Sequence, residues 1–218
     1  MFKLHGYIDE NGTKRFAKWF KTLNGIAAAK VAIALTRLER GNLSKVKGVG
    51  GGVLEYKIDF GPGYRIYFGK DGEQLVILIS DGTKKRQDED IAEARRCWID
   101  YKRRKKMPLT HDFKETIRVR AQTDPKFRQA LLREAVESYL NGDLETGKAV
   151  LRDYVNATVG FQALEEKTDI PAKSLMRMLG PKGSPSAANL SSILTALQKT
   201  EGVHFQLALR PERTINPI

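Results

Sequence analysis

The spacing of apolar residues in the first hundred positions changes between a helical period and a strand period. Helical spacing occurs in three segments, residues 14–23, 26–39 and 88–101. Strand-like runs occur in four segments, residues 3–8, 53–59, 64–69 and 74–80. The last three runs are separated by Phe60–Gly63 and Lys70–Gly72, whose glycines favour hairpins. The pattern predicts an α+β unit with a small antiparallel sheet.

The helical period dominates after residue 107. Four segments predict helices, residues 113–122, 125–141, 143–156 and 187–199. Residues 160–180 have the form of a helix, a turn and a helix. The alternation over Val203–Leu209 predicts a half-buried strand. We therefore expect two domains: a first unit, residues 1–106, and a second unit, residues 107–218, that is all-α with a C-terminal strand.

The expected boundary lies in the segment Tyr101–Thr110. Five consecutive basic residues, Lys102–Lys106, repel one another and favour a solvated segment. Met107 and Pro108 follow, and proline resists the continuation of a helix. An internal methionine after a basic tail indicates two proteins joined end to end, and the alternative is an ordinary linker with a chance methionine.

The positive charge is concentrated in the first unit. The 218 residues carry a net charge of +12, of which residues 1–106 contribute +10. Such a surplus makes nucleic acid the first partner to expect, against the alternative of a merely soluble basic protein. One cysteine and three scattered histidines offer no metal-ligand spacing, so no metal or other cofactor is expected.

Composition also bears on the compartment. No apolar run reaches the roughly 20 residues that cross a bilayer, and the first residues lack a signal-peptide stretch. Cys97 is the single cysteine, so an intrachain disulfide is excluded. We expect a cytoplasmic protein without a membrane partner.

Three segments of the first unit resemble the RelE/HigB-like toxins of type II toxin–antitoxin systems. They are the hairpin at residues 54–68, residues 79–85 before the last helix of the unit, and residues 38–47 before the glycine-rich loop Gly48–Gly52. The resemblance spans residues 1–103. It implies an mRNA interferase, a metal-independent endoribonuclease that in most members acts on messenger RNA in the ribosomal A site.

The chemistry of such cleavage can be matched to basic residues. The 2′-hydroxyl attacks, a base removes its proton, and cations stabilise the charge that develops on the phosphate. Lys57 and Arg65 lie on strands that are expected to pair, and Lys84 and Lys85 follow the third strand. Arginine can hold a phosphate with two hydrogen bonds, and neighbouring cations lower the pKa of a lysine. Solvated cations without catalysis are the alternative.

The general acid is left open by the sequence. Tyr56, Tyr64 and Tyr67 could stack on RNA bases or donate a proton, although aromatic strand residues commonly pack. Asp90 is either a catalytic group or a first-turn acid that favours the helix dipole. The RelE pattern has a second lysine where this chain has Asp59, and a tyrosine near the start of the last helix that this chain lacks.

Residues 161–179 resemble the helix-turn-helix of XRE-type antitoxins of the HigA kind. The resemblance covers residues 107–209 and implies contact with the toxin unit and operator binding by a homodimer. A helical bundle without DNA binding is the alternative. Glu165 replaces a common alanine and Asp169 a common glycine, although aspartate tolerates a left-handed backbone. The candidate DNA-binding residues are Gln162, Lys173, Ser174, Arg177, Lys182, Ser184 and Asn189.

Two hypotheses follow from these resemblances. In the first, the first unit cleaves RNA, and the second unit restrains that activity and represses transcription of its own gene. In the second, the chain is a DNA-binding regulator whose basic first unit is a non-catalytic RNA-binding or structural appendage.

Overall fold

The computed structural model describes residues 1–82, 86–104 and 110–206. The predicted helices and strands of the first unit are confirmed to within a few residues, and a short additional strand precedes the glycine loop. The elements are β1 (Lys3–Tyr7), α1 (Arg15–Thr22), α2 (Gly25–Glu39), β2 (Val46–Gly48), β3 (Val53–Ile58), β4 (Tyr64–Asp71), β5 (Gln74–Gly82) and α3 (Gln87–Arg104).

The second unit begins with a strand that its sequence did not predict. This strand, β6 (Thr110–Asp112), pairs antiparallel with β1. Three residues carry too little pattern to be recognised, and the strand forms because the edge of β1 offers it backbone partners. The helices follow as predicted: α4 (Phe113–Thr123), α5 (Pro125–Leu140), α6 (Leu144–Ala157), α7 (Gly160–Thr168), α8 (Ala172–Met178) and α9 (Ala187–Glu201).

The strands form one mixed sheet in the order β2-β3-β4-β5-β1-β6. The predicted meander of β3, β4 and β5 is confirmed as antiparallel. The opening strand β1 is also confirmed, but it pairs parallel to β5. The sheet is therefore larger than the small antiparallel sheet expected, and β6 extends it with residues of the second unit.

Side chains at the helix starts explain where several helices begin. Asn24 accepts a hydrogen bond from the backbone N–H of Ala27 at the start of α2. Asp112, Asp124 and Asp143 cap α4, α5 and α6 in the same way. These caps satisfy amide groups that would otherwise lack partners in the first turn.

The basic run at the predicted boundary is helical at its start. The helix α3 continues to Arg104, because Asp100 forms ion pairs with Arg103 and Arg104 one turn further on. Lys102 and Arg103 are exposed, as the charge pattern predicted. Residues 105–109 lie outside the described part of the chain.

The predicted strand over Val203–Leu209 is wrong for the residues that the structure describes. Residues 203–206 have no regular secondary structure. Gly202 ends α9 in a left-handed conformation, and the backbone N–H of Phe205 donates to Gln198 Oε1 at 2.7 Å. The segment is thereby held against α9 rather than beside another strand, and residues 207–209 are not described.

The two faces of the sheet bury different hydrophobic clusters. The larger cluster joins α1 and α2 of the first unit with α4 to α9 of the second unit. In the described residues the smaller cluster contains only the first unit, and it packs α3 on the opposite face through Trp98. Gly69 is required there, because a Cβ at this position would lie 2.4 Å from the Trp98 ring. The second unit therefore packs on the face opposite α3.

Both apolar and polar contacts hold the units together. The ring of Phe20 in α1 meets the ring of Phe127 in α5 edge-on, with centroids 5.7 Å apart. The guanidinium of Arg120 donates to the backbone carbonyls of Phe20 and Leu23.

None of the helices that the structure describes is both long and apolar enough to cross a membrane.

Replacing Phe127 by alanine tests whether the units share one core. Phe127 is fully buried, so we expect Phe127→Ala to lower the free energy of unfolding by about 3–5 kcal/mol in urea denaturation. Val119→Ala is the control, since Val119 is exposed and its truncation should cost less than about 0.5 kcal/mol. A loss below about 1 kcal/mol for Phe127→Ala would contradict the shared core.

Candidate functional site

Lys57 and Arg65 lie side by side on the face of the sheet that α3 covers. The pairing of β3 with β4 makes them direct cross-strand partners. Alternation along β3 places Tyr56 and Ile58 in the larger cluster on the opposite face. The two leading catalytic candidates are therefore brought together, at the end of the sheet near the start of α3.

The environments of these two cations differ. The Lys57 side chain is 52% exposed, and its Nζ lies 2.6 Å from Asp59 Oδ1. The hydrogen bond and charge of Lys57, with help from Lys45, hold the pKa of Asp59 below its usual value. Arg65 is instead buried, with a side chain only 8% exposed, and its Nη1 donates to the carbonyl of Gly63 at 3.2 Å. Lys57 is thus the cation that solvent and a substrate can reach directly.

Glu55 is a buried member of the site that the sequence analysis missed. Its side chain is 7% exposed, and its Oε2 lies 3.6 Å from Arg65 Nε. The same oxygen accepts a hydrogen bond of 2.9 Å from Gln87 Nε2 at the start of α3. A buried carboxylate requires such partners. Alternation along β3 places Glu55 on the same face as Lys57, and this spacing was the sequence feature that could have predicted its place in the site.

Tyr67 and Asp90 complete the polar cluster. Tyr67 is the cross-strand partner of Glu55 and is fully buried. Burial, followed by the charge of Glu55, raises the pKa of Tyr67 well above its ordinary value. Its hydroxyl has no hydrogen-bond partner among residues 1–82, 86–104 and 110–206. Asp90 is half-buried in the first turn of α3, and its charge also raises the pKa of Tyr67.

The other two tyrosines lie on the opposite face and do not join this cluster. Tyr56 is buried in the larger cluster, and this burial raises the pKa of its hydroxyl. The nearby charge of Arg37 acts in the opposite direction. Tyr64 packs edge-on against Trp19 with centroids 6.0 Å apart. Tyr56 and Tyr67 are buried and present no open ring for base stacking, so of the two alternatives left open by the sequence they follow the packing one. Lys84 and Lys85 lie outside the described residues.

The candidate DNA-binding region has the predicted helix, turn and helix. Asp169 ends α7 with φ of 55°, a left-handed conformation, so aspartate does replace the usual glycine. Glu165 accepts a hydrogen bond of 3.0 Å from the backbone N–H of Ala172, the first residue of α8. The unusual glutamate therefore joins the two helices across the turn. Leu164 of α7 and Leu175 of α8 are fully buried.

The helix α8 carries three of the seven predicted DNA-binding residues. Lys173 and Arg177 are exposed one turn apart, and Ser174 is half-buried. Met176, which the sequence analysis did not single out, is 41% exposed beside them. Elsewhere, Gln162, Lys182 and Ser184 are exposed.

Asn189 differs from this expectation. Its side-chain amide donates to Met178 Sδ at 3.1 Å, and its backbone N–H donates to Ser186 Oγ. The amide is thus turned toward α8, where it ties α9 to that helix. Ser186, rather than Ser184, caps α9.

Comparison with known proteins gives one informative relative. No family model and no solved structure matches the chain. An uncharacterized protein of Haemophilus influenzae is 39% identical over 84 residues, which are 38% of this chain and 85% of that protein. The chain belongs to the family of that Haemophilus protein. The Haemophilus protein is therefore less than half as long as this chain, and it resembles only part of it.

Replacing Glu55 by glutamine tests the buried pair. We expect Glu55→Gln to lower the free energy of unfolding by about 3 kcal/mol, because Arg65 would keep a buried charge without a counter-ion. Lys57→Gln is the matched control on the same strand, and its exposed pair with Asp59 should contribute less than about 1 kcal/mol. Equal unfolding midpoints for the two variants would refute the structural role of Glu55.

Proposed function

We propose that this chain is a toxin–antitoxin pair in one polypeptide, located in the cytoplasm. Its first unit would be a metal-independent endoribonuclease acting on messenger RNA, and its second unit a DNA-binding antitoxin. The observation that carries the proposal is the register of Lys57 against Arg65 on one face, beside Glu55 and the start of α3. The resemblance to RelE/HigB-like toxins gives that cluster its proposed chemistry.

Each member of the cluster has a proposed part in cleavage. Lys57, open to solvent, would approach the ribose and the scissile phosphate, either as the base or as a fixed positive charge. Arg65 would stabilise the charge developing on the phosphate, since a guanidinium stays protonated. Asp90, half-buried at the start of α3, is the candidate for the group that protonates the leaving 5′-oxygen, because Tyr67 is fully buried. Lys84 and Lys85 remain candidates from the sequence alone.

The second unit would bind DNA through α8. Lys173 and Arg177 are exposed on one side of that helix, with Met176 between them. Cationic side chains can contact phosphates and guanine edges, and an apolar side chain can contact a thymine methyl group. We propose a homodimer on a two-fold operator, in line with the resemblance to HigA-like antitoxins. The Haemophilus relative is less than half as long as this chain, as expected if two separate proteins are joined here.

One observation favours the second hypothesis, a regulator with a non-catalytic first unit. Arg65 is buried and its charge is shared with Glu55, so its guanidinium is less available to a phosphate than an exposed arginine would be. Buried ion pairs commonly have a structural role. The activity of the first unit decides between the two hypotheses.

Expression of residues 1–106 tests the toxin assignment. We expect this segment to arrest bacterial growth and to cleave messenger RNA, and the full chain to do neither. Lys57→Ala in the same segment should lower the cleavage rate about 100-fold, because an exposed cation at the phosphate is lost. Primer extension on cellular RNA measures cleavage. Harmless expression of a soluble, helical segment would favour the regulator hypothesis.

Binding to the DNA upstream of its own coding sequence tests the antitoxin assignment. We expect Arg177→Ala in the full chain to weaken specific binding by about 1–3 kcal/mol in an electrophoretic mobility assay. Lys199→Ala is the control, because Lys199 is an exposed cation at the end of α9 rather than on α8. If both variants bound as the unchanged chain does, α8 would not be the reading helix.

A further inference from the structure

A polar groove lies where the two units meet. It has a volume of about 310 Å³ and is bounded by α2 and β3 of the first unit and by α5 of the second. Lys57 is one of its lining residues, so the groove includes the candidate catalytic cation. Three further cations line it, Lys30, Arg37 and Lys45. The first unit thus contributes four cations and, in Asp59, one carboxylate.

The cations on α2 belong to a basic strip along one side of the helix. Lys30, Arg37 and Arg40 are seven and then three residues apart, spacings that return to similar directions on a helix. At a rise of 1.5 Å per residue the strip is about 15 Å long. A strip of fixed cations of this length suits the backbone of a short single-stranded nucleic acid.

Carboxylates of the second unit occupy this strip in the full chain. Lys30 Nζ lies 2.8 Å from Glu134 and 3.3 Å from Glu137, both on α5. Arg37 Nε lies 2.7 Å from Asp143 Oδ2, and Arg40 forms an ion pair with Glu145. Every cation of the strip therefore has an acidic partner from across the boundary.

We propose that the groove and the adjoining basic strip are the path of the RNA backbone next to the scissile phosphate. Glu134 and Glu137 of α5 in the groove, with Asp143 and Glu145 along the strip, hold this path in place of RNA phosphates. The inference rests on the proposed function and adds how the second unit restrains the first. The smaller cluster, under α3, contains only residues of the first unit in the described chain, so the Lys57 and Arg65 face itself is not what the second unit packs on. Restraint acts through the adjoining groove.

The more exposed an ion pair is, the more easily RNA can displace its carboxylate. Glu134 is 4% exposed and belongs to the packed interface, whereas Glu137 is 44% exposed at the open side of the groove. Exposed pairs contribute at most about 1 kcal/mol each and are screened by salt. Glu137 is thus the carboxylate whose charge can be reversed without disturbing the core.

The test compares two charge reversals in the full chain, Glu137→Lys and Glu115→Lys. Their side chains are 44% and 54% exposed on helices of the second unit, and each pairs with an arginine of its own helix. The two substitutions change the net charge equally. The probe is a short 2′-O-methyl RNA of mixed sequence, which cannot be cleaved because its 2′-oxygen is blocked. Fluorescence anisotropy measures its affinity.

We expect E137K to bind this RNA about tenfold more tightly than E115K at low salt, with the difference shrinking as salt is raised. Adding Lys45→Gln, which removes an exposed cation from the same groove, should reverse part of the gain. Adding Lys199→Gln, which removes an exposed cation on α9, should not.

Two outcomes would overturn the inference, and they differ in what else they overturn. Equal RNA affinities of E137K and E115K, or a gain insensitive to Lys45→Gln, would remove the groove as the RNA path while leaving the proposed nuclease intact. Failure of every variant to bind RNA would overturn the proposed function and the inference together.

Discussion

The fold depends on the burial of α2 between two layers. Eleven of its fifteen residues are buried, which is far more than the single apolar stripe of a surface helix. One side packs on the sheet and the other on α5 and α6. Because small alanine side chains let neighbouring elements approach closely, the two units share a continuous core. Removing the second unit would expose the apolar side of α2 to water.

Ion pairs surround this buried helix at its C-terminal end and along its more exposed side. At its C-terminal end, Lys114 of α4 lies between the carboxylates of Glu39 and Asp153, with Nζ distances of 3.1 and 3.5 Å. Burial raises the pKa of Glu39 and of Asp153, so these carboxylates depend on the lysine for compensation. The basic strip on the more exposed side meets the acidic residues of α5 and α6. Apolar packing thus joins the units, and the surrounding charges determine their orientation.

The polar cluster around Lys57 and the second unit lie on different sides of the sheet. Lys57 and Arg65 lie on the α3 face of the sheet, whereas α2 and the second unit lie on the other. The two faces meet at the open end of β3, where Lys57 also lines the groove. The second unit can therefore approach the polar cluster at this edge without packing on the face that α3 covers. In the proposed function, electrostatic competition at the edge replaces coverage of the catalytic residues.

The sequence alone determined the local structure, because local structure depends on the period of apolar residues, on caps and on turns. It placed the helices and the β3–β5 meander, brought Lys57 and Arg65 onto neighbouring strands, and allowed Asp169 in a left-handed turn. Only the tertiary structure decided what surrounds those residues. It added β6, left residues 203–206 without regular structure beside α9, and buried Tyr56, Tyr67 and Arg65. It also introduced Glu55 as the partner of Arg65. Burial and pairing arise between elements distant in the chain, so no local pattern carries them.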